Sequence, residues 1–281
     1  MPMSATDVVV CDDGYTLQIT RFEPAEPIGI TVLVCPAIFV RERYYAAFAG
    51  WLAERGVRAL TFANRGAGRS LAAETGPWDH RIEHWGERDL PAMVARARAD
   101  RPGDRLFVVG HSMGGQTVGL SGAVHALDGV VSVASTAAWW GHWPRPARYG
   151  ILAWYCAVPL LGRALPVMPA DLAGLGPDLD AEIARGWAKW GRHPDYLFGP
   201  FGLEDHLASY RGRVLAWSFT DDRLGCHRAV QALHGRYARA ELDERHVDPA
   251  RVGVPAIGHF GWFRRGIGEV LWADTLSWFV A

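Results

Sequence analysis

The chain has 281 residues, of which 49% are hydrophobic and 21% charged, and its formal net charge is -1. This length suits one large α/β domain with an inserted subdomain. Because the sequence contains no basic block or stripe, its composition argues against a nucleic-acid-binding protein and against binding to an anionic membrane.

The cysteines and the N-terminus indicate a cellular compartment. Cys11, Cys35, Cys156 and Cys226 are widely spaced and form no C-x-x-C pair, which favours reduced thiols over a disulfide framework or a zinc site. The first residues lack a basic region followed by an apolar core, so no signal peptide is predicted. We therefore expect a cytoplasmic protein.

The first half of the chain alternates predicted strands with loops and helices. An Asp-Asp-Gly turn at 12–14 joins two β-prone runs into a hairpin, and the later apolar runs are typical of strands covered on both faces. Helical spacing occurs at 44–55, and 78–100 is predicted to be mostly helical. The predicted strands are residues 8–11, 16–22, 29–35, 57–62 and 106–109.

Two features of this half resemble ligand sites but lack essential residues. The loop at 64–70 is rich in glycine, yet it has no G-x-x-x-x-G-K-[ST] lysine and no G-x-G-x-x-G spacing, which argues against nucleotide binding. His80 and His84 are four residues apart on the predicted helix, without the further ligands of an HExxH-type site. The sequence predicts no cofactor and no metal.

The strongest chemical signal lies in residues 105–122. An apolar run ends in Gly110-His111-Ser112-Met113-Gly114, which is a G-x-S-x-G pattern, and small residues follow it. In a nucleophile elbow, the turn from strand to helix is so sharp that the serine is strained and side chains at the flanking glycines would clash. We predict that Ser112 is a nucleophile at the mouth of the sheet, facing the positive end of the next helix.

The strand and helix alternation stops between residues 137 and 210. This stretch is rich in tryptophan, proline and glycine, and it predicts a helical cap inserted into a core of residues 1–136 and 211–281. Within it, 151–168 is apolar but interrupted, so we expect a pair of cap helices and no membrane span. The cap aromatics either line an apolar substrate pocket or pack the cap on the core; the pocket candidates are Trp139, Trp140 and Trp143.

An acid pair and a histidine follow predicted strands in the second half. The order Ser112, Asp222, His259 is typical of α/β-hydrolases and differs from the chymotrypsin and subtilisin orders. Asp222 is favoured over Asp221 as the carboxylate that orients His259, because a paired acid is commonly a loop cap. The predicted strands of this half are 130–135, 214–219 and 241–246, and its predicted helices are 226–237 and 267–279.

The loop after the strand at 29–35 is expected to supply an oxyanion donor alongside the amide of Met113. Pro36 has no N–H, so the donor is Ala37 or Ile38, of which Ile38 is preferred. Phe39 adjoins this donor and is a candidate substrate contact. His111 is a further candidate for substrate binding, although we expect it to pack beside the elbow rather than to take part in the chemistry.

The chain resembles α/β-hydrolases of the serine aminopeptidase-like (S33-like) group, and in particular a bacterial branch of that group. The resemblance implies a mostly parallel central sheet flanked by helices, with an inserted helical cap. Where related sequences usually carry glycine in the oxyanion loop, this chain has Phe39, which would narrow the pocket or shift the backbone amide. The motifs that carry the resemblance are Pro36–Tyr45, Arg65–Ser70, Gly110–Gln116, Trp187–Phe198, Phe219–Asp222 and Ile257–Arg265.

These patterns predict a serine hydrolase that cleaves an ester, thioester or amide bond of a small apolar substrate through an acyl-enzyme. A peptidase ranks below an esterase or thioesterase, because no acidic residue of the cap stands out as a ligand for a substrate amino group. The alternative is non-hydrolytic chemistry on the same fold, such as acyl transfer, cyclisation or elimination, with His259 as base. A binding protein with a vestigial triad is disfavoured, since no triad residue is missing. The expected partner is a small-molecule substrate, with no nucleic acid, and a homodimer is left open.

Overall fold

The computed structural model describes residues 3–73, 76–168, 176 and 178–281. Its strands are β1 Met3–Val10, β2 Thr16–Glu23, β3 Ile30–Cys35, β4 Arg58–Phe62, β5 Arg105–His111, β6 Gly129–Val133, β7 Val167–Met168, β8 Leu179–Asp180, β9 Arg213–Phe219 and β10 Glu241–Val247. Its helices are α1 Ala46–Ala53, α2 Gly68–Ala73, α3 Leu90–Asp100, α4 Met113–Thr117, α5 Ala147–Ala164, α6 Ala181–Arg192, α7 His227–His234 and α8 Glu269–Val280.

One sheet of eight strands organises these elements, in the order β1-β2-β4-β3-β5-β6-β9-β10. The pairs β1–β2 and β2–β4 are antiparallel, and the remaining neighbours are parallel. Because parallel strands point the same way, the loops that follow β3, β5, β6 and β9 gather at one edge of the sheet. The predicted α/β class with a mostly parallel sheet is confirmed.

Separate hydrophobic clusters cover the two faces of the sheet, because side chains alternate along each strand. On β3, Val32 and Val34 belong to a cluster with residues of α1 and α8. Leu33 and Cys35 belong to the other cluster, with residues of α3 and α6. Every residue of β3 is buried, as expected for a strand covered on both faces. This burial leaves the loops at the sheet edge as the places where polar chemistry can meet solvent.

The strand predictions are confirmed with small shifts at the ends, except that β1 begins at Met3, well before its predicted start at residue 8. The opening hairpin pairs β1 with β2 over eight residue pairs. β9 begins one residue before its predicted start, and β10 begins at the predicted residue. The hydrophobic pattern of buried strands is local in sequence, so it needs no knowledge of the partners that cover them.

Two helix predictions are wrong in extent. The stretch predicted as helix from residue 78 becomes helical only at His84. Before that point side chains contact other segments instead, and the His80 Nδ1 lies 2.9 Å from a carboxylate oxygen of Asp180. The apolar run 151–168 is not a helix pair, because α5 continues through Pro159 as one helix of 18 residues. Packing of this helix against α6 offsets the single backbone hydrogen bond that a proline removes.

Between β6 and β9 the chain leaves the main sheet. The helices α5 and α6 pack on each other there, and β7 and β8 form a short antiparallel pair. The division into a core of residues 1–136 and 211–281 and a cap of residues 137–210 stays a prediction. Among the helices that the structure describes, none is long and apolar enough to cross a membrane.

Candidate active site

The turn between β5 and α4 has the geometry of a nucleophile elbow. Ser112 has φ 49° and ψ -112°, a strained conformation for a residue with a side chain. A Cβ on Gly110 would collide with Gly115, and a Cβ on Gly114 would collide with the carbonyl oxygen of Cys35. The flanking glycines are therefore required by close backbone approach. The helix that follows is shorter than expected, since α4 spans five residues before 3-10 turns replace it.

The loops after β9 and β10 bring Asp222 and His259 together. His259 Nδ1 lies 2.8 Å from Asp222 Oδ2, and the two side chains are only 9% and 1% exposed. The second carboxylate oxygen of Asp222 accepts the backbone N–H groups of Leu224 and Gly225, each at 2.8 Å. These two donors fix the orientation of the carboxylate, so that Oδ2 is the atom that faces the imidazole.

The neighbouring acid, Asp221, has a different set of partners. Its carboxylate accepts the backbone N–H of Ile257 at 2.9 Å and that of Gly258 at 3.0 Å. Both donors lie directly before His259 in the chain. Asp221 thus ties down the loop that carries His259, whereas Asp222 contacts its ring.

The hydroxyl of Ser112 is not held by a hydrogen bond to the imidazole of His259 in the described part of the chain. Within the ranges that the structure describes, no hydrogen bond joins Ser112 Oγ to His259. Hydrogen bonds of this kind are often long without substrate and shorten only when the reacting complex forms. The structure therefore brings Ser112, Asp222 and His259 to the same edge of the sheet. Of these three residues, Asp222 and His259 are already joined by a hydrogen bond.

The loop after β3 packs directly against the elbow. Pro36 has no N–H, and the N–H of Ala37 donates to the hydroxyl of Tyr45 at 2.8 Å. The first amide of this loop that remains for an oxyanion is therefore that of Ile38. The other expected donor, Met113, begins α4, so its N–H has no acceptor within the helix.

Phe39 has φ 60°, in the left-handed region that glycine adopts most readily. A glycine at this position would adopt this conformation without the strain that a side chain causes. The Phe39 ring lies edge-on to Trp187, with 6.1 Å between ring centroids. Behind the loop, Phe39, Glu42, Asn64 and Trp85 help to line a cavity of about 10 Å³, which is room for one water molecule at most.

A chain of hydrogen bonds connects the oxyanion loop to the histidine loop through buried side chains. His111 Nε2 lies 2.8 Å from the carbonyl oxygen of His259, and Nδ1 lies 2.9 Å from the Tyr45 hydroxyl. Because a carbonyl can only accept, the proton of His111 sits on Nε2 and its Nδ1 accepts from Tyr45. The Tyr45 oxygen in turn accepts from Ala37. We call this set of hydrogen-bonded groups the buried relay; it consists of Ala37, Tyr45, His111 and the carbonyl of His259.

His111 is fully buried and both of its ring nitrogens are used within the relay. A direct contact of the imidazole nitrogens with substrate would break one of these hydrogen bonds. His111 is thus placed as a support beneath the catalytic loops, which agrees with packing beside the elbow rather than with chemistry. Sequence reasoning missed Tyr45, whose one signal was its place in the tyrosine pair that ends the oxyanion-loop motif.

Acid is expected to destabilise the protein through His111. Burial lowers the pKa of its imidazole to about 3, and the charge of His259 acts in the same direction. An unfolded histidine titrates near pH 6.5, so below that pH the unfolded state binds a proton that the folded state does not. This contribution to stability is complete above pH 6.5, and on the order of 3 kcal/mol of it is lost by pH 4.

Urea unfolding of the wild type and His111→Gln at pH 7 and pH 4 measures this loss. The wild type should lose more unfolding free energy on acidification than the variant does. Other titrating groups are common to both proteins and cancel in the comparison. Equal losses would contradict the assignment of a neutral, buried His111.

The predicted tryptophan contacts divide into two kinds. Trp143 is 5% exposed, and its indole N–H donates to the backbone of Arg223, beside Asp222. It therefore packs the segment after β6 on the acid loop. Trp139 and Trp140 are half-buried and lie edge-on to each other at 5.9 Å. Of the three predicted tryptophans, these two have solvent-exposed ring surface that an apolar ligand could cover.

Titratable groups elsewhere do not form a metal centre in the part of the chain that is described. No cluster of three or more histidine, cysteine or acidic side chains suitable for a metal occurs there. His80 contacts Asp180, and the His84 Nδ1 lies 3.0 Å from the carbonyl oxygen of Asp79. The two histidines do not share a helix face as expected, because 78–83 is not helical.

Comparison with known proteins shows that the chain is similar to hydrolases. The family described as serine aminopeptidase, S33, matches residues 29–178, just over half of the chain. An esterase (EaEST) from Exiguobacterium antarcticum superposes with a TM-score of 0.66 over 99% of this chain and 100% of that chain, at 14% identity. A search of curated proteins gives no match.

Two further solved structures share the fold. A Pyrococcus furiosus esterase superposes with a TM-score of 0.64, covering 99% of this chain and 91% of that chain at 16% identity. A soluble variant of monoglyceride lipase from Saccharomyces cerevisiae, in complex with a substrate analogue, gives 0.64 over 100% and 94% at 15% identity. At these identities the likeness confirms the α/β-hydrolase fold, and the family match confirms the resemblance found in the sequence motifs.

Proposed function

The chain belongs to the serine aminopeptidase S33 family and is an enzyme of the α/β-hydrolase fold, and from this premise we propose that it is a serine hydrolase acting on small apolar acyl compounds. The observation that supports the proposal most strongly is the hydrogen bond between Asp222 and His259 at the sheet edge that carries the strained Ser112. A strained serine beside an oriented imidazole is the arrangement of an activated nucleophile.

In the proposed reaction, Ser112 Oγ attacks the carbonyl carbon of the substrate while its proton passes to His259 Nε2. Asp222 holds the proton on Nδ1 and stabilises the imidazolium that forms. The carbonyl oxygen becomes an oxyanion, which the N–H groups of Met113 and Ile38 stabilise. His259 then donates its proton to the leaving group as the bond to carbon breaks, and an acyl-enzyme remains.

Water completes the proposed cycle. The oxygen of the water attacks the acyl carbon while His259 takes a proton from that water. The tetrahedral intermediate then collapses to a carboxylic acid. The proton returns from His259 to Ser112 Oγ as the acyl–serine bond breaks. Each of the two steps is therefore balanced with no cofactor.

The preference for an apolar acyl group rests on the aromatic side chains near the loops. Phe39 lies in the oxyanion loop, and Trp139 and Trp140 retain exposed surface in the segment after β6. Aromatic rings bury large areas of apolar ligand at little entropic cost. We rank esters and thioesters above peptides, because no acidic residue in the sequence of 137–210 stands out as a ligand for the amino terminus of a peptide.

A fluorophosphonate probe and intact-mass spectrometry test this function. The wild type should gain one covalent adduct, since the phosphorus centre is attacked by an activated serine and a fluoride ion leaves. Ser112→Ala should gain none, and His259→Ala should react far more slowly. Ser135→Ala is the matched control, because Ser135 is a buried serine near the elbow whose hydroxyl contacts the Gly110 carbonyl. A folded wild type without an adduct would contradict the proposal.

A further inference from the structure

The outward side of α5 is apolar, the reverse of the usual pattern for a helix on a protein surface. Leu160 is 63% exposed, more than any other large hydrophobic side chain on this helix. Exposed contiguous apolar surface marks an interaction site more often than chance. We define the outer face of α5 as Tyr149, Trp154, Leu160 and Leu161 of the helix together with Leu165, which directly follows it.

The helix cannot bury this face by turning about its axis. Its opposite side holds Tyr155, whose hydroxyl donates to the backbone of Ala138 at 2.9 Å and whose ring contacts Trp187. Gly162, on the same side, packs closely on α6, where a Cβ would meet Ala181 at 3.3 Å. The buried side is therefore held by specific contacts, and the outer face stays in solvent as a consequence.

Arginines flank α5 in sequence and in the fold, and its own segment contains no acid. Residues 129–168 contain no aspartate or glutamate. Arg192, on α6, donates to the carbonyl of Tyr155 at 2.6 Å. Among the residues that are described, no ion pair neutralises any of the four arginines that flank α5, which are Arg145, Arg148, Arg163 and Arg192. The sequence shows no basic block because these positions are spread over residues 145–192. Arg145 and Arg148 lie at the start of α5, Arg163 lies in its last turn, and Arg192 contacts it from α6.

We propose that the outer face of α5 docks on the surface of an anionic phospholipid bilayer. Leucine and tryptophan side chains enter the boundary between headgroups and acyl chains, and the arginines meet lipid phosphates. A second copy of this chain fits the face less well. Its own outer face would bring more arginine and no carboxylate to meet the four cations.

The buried side of α5 connects the helix to the proposed oxyanion loop. Tyr155 contacts Trp187 with 5.1 Å between centroids, and Trp187 contacts Phe39 of the oxyanion loop at 6.1 Å. The side of α5 opposite the outer face is therefore connected to that loop by two ring contacts. The docking proposal itself rests on exposure and charge and is independent of the hydrolytic function.

Vesicle co-sedimentation tests the docking surface without any catalytic readout. Wild-type protein should bind vesicles of phosphatidylcholine mixed with phosphatidylglycerol, and should bind phosphatidylcholine alone more weakly. Leu160→Glu should weaken binding about tenfold or more, because a leucine is no longer buried. Arg163→Gln should weaken binding to the anionic vesicles about fivefold, with a smaller dependence on salt.

Val270→Glu is the matched control, because Val270 is 59% exposed on α8 and undergoes the same apolar-to-acidic change. It should bind vesicles like the wild type. Circular dichroism would show whether each variant is folded, and an exposed position tolerates the change. The proposal is overturned if the wild type binds neither vesicle, if Val270→Glu weakens binding as much as Leu160→Glu, or if sedimentation shows a dimer that Leu160→Glu dissociates.

Discussion

Replacing Asp222 with asparagine is expected to lower kcat about 10⁴-fold while the protein stays folded. The two backbone donors at Leu224 and Gly225 require an acceptor, so the amide oxygen takes their side and the NH₂ group faces His259 Nδ1. A donor at that position holds the imidazole in the tautomer with its proton on Nε2. That tautomer cannot accept the proton of Ser112, and the nucleophile is not activated.

Asp221→Asn is the matched variant one residue away. Asparagine has one acceptor oxygen for the two backbone N–H groups of Ile257 and Gly258, so the loop before His259 is held less firmly. We expect a loss of about 1–3 kcal/mol in unfolding free energy and about a tenfold fall in kcat. Rates on a p-nitrophenyl ester, with urea unfolding of each variant, separate the two acids. If Asp221→Asn were the slower enzyme of the two, the assignment of Asp222 as the triad acid would be wrong.

Tyr45→Phe is expected to weaken both stability and catalysis by removing one oxygen atom. The buried relay then leaves the Ala37 N–H and the His111 Nδ1 without partners. Two unsatisfied buried groups cost on the order of 3 kcal/mol in unfolding free energy. Because Ala37 precedes the Ile38 donor and His111 supports the His259 backbone, misplaced loops should also lower kcat/KM, by about 10²-fold.

Tyr237→Phe provides the comparison for this variant. The Tyr237 hydroxyl is also buried, but among the described residues it has no hydrogen-bond partner. Its removal should therefore leave stability and kcat/KM close to those of the wild type. Urea unfolding and initial rates on one ester suffice for both proteins. Wild-type kcat/KM in a folded Tyr45→Phe would show that the relay does not position the catalytic loops.

The elbow could be predicted from the sequence because its constraints are local. Five consecutive residues contain the strained Ser112 and the glycines on either side, and the collisions that demand glycine involve the turn itself and the adjacent β3 loop. Phe39 was recognised as unusual through the resemblance, which implies glycine there, and the structure adds that its φ is left-handed. The triad order and the buried strands follow from patterns of the same kind.

The helix errors had a different origin. His80 to Ile82 has no helical structure although its surroundings have helical spacing, because His80 contacts Asp180, 100 residues further along. In α5, Pro159 suggested a break between two helices, yet packing on α6 kept one helix intact. Contacts between distant segments overrode local propensity in both cases.

Residue types and spacing determined the strand succession and the sharp turn at Ser112, and the resemblance carried by the motifs implied the mostly parallel sheet and the family. The tertiary structure decided which carboxylate oxygen meets His259, which lies 37 residues away, and joined His111 to a carbonyl 148 residues away. It also decided that the apolar side of α5 faces solvent. Such outcomes depend on side-chain directions and on partners from distant segments, and these are set only when the elements pack together.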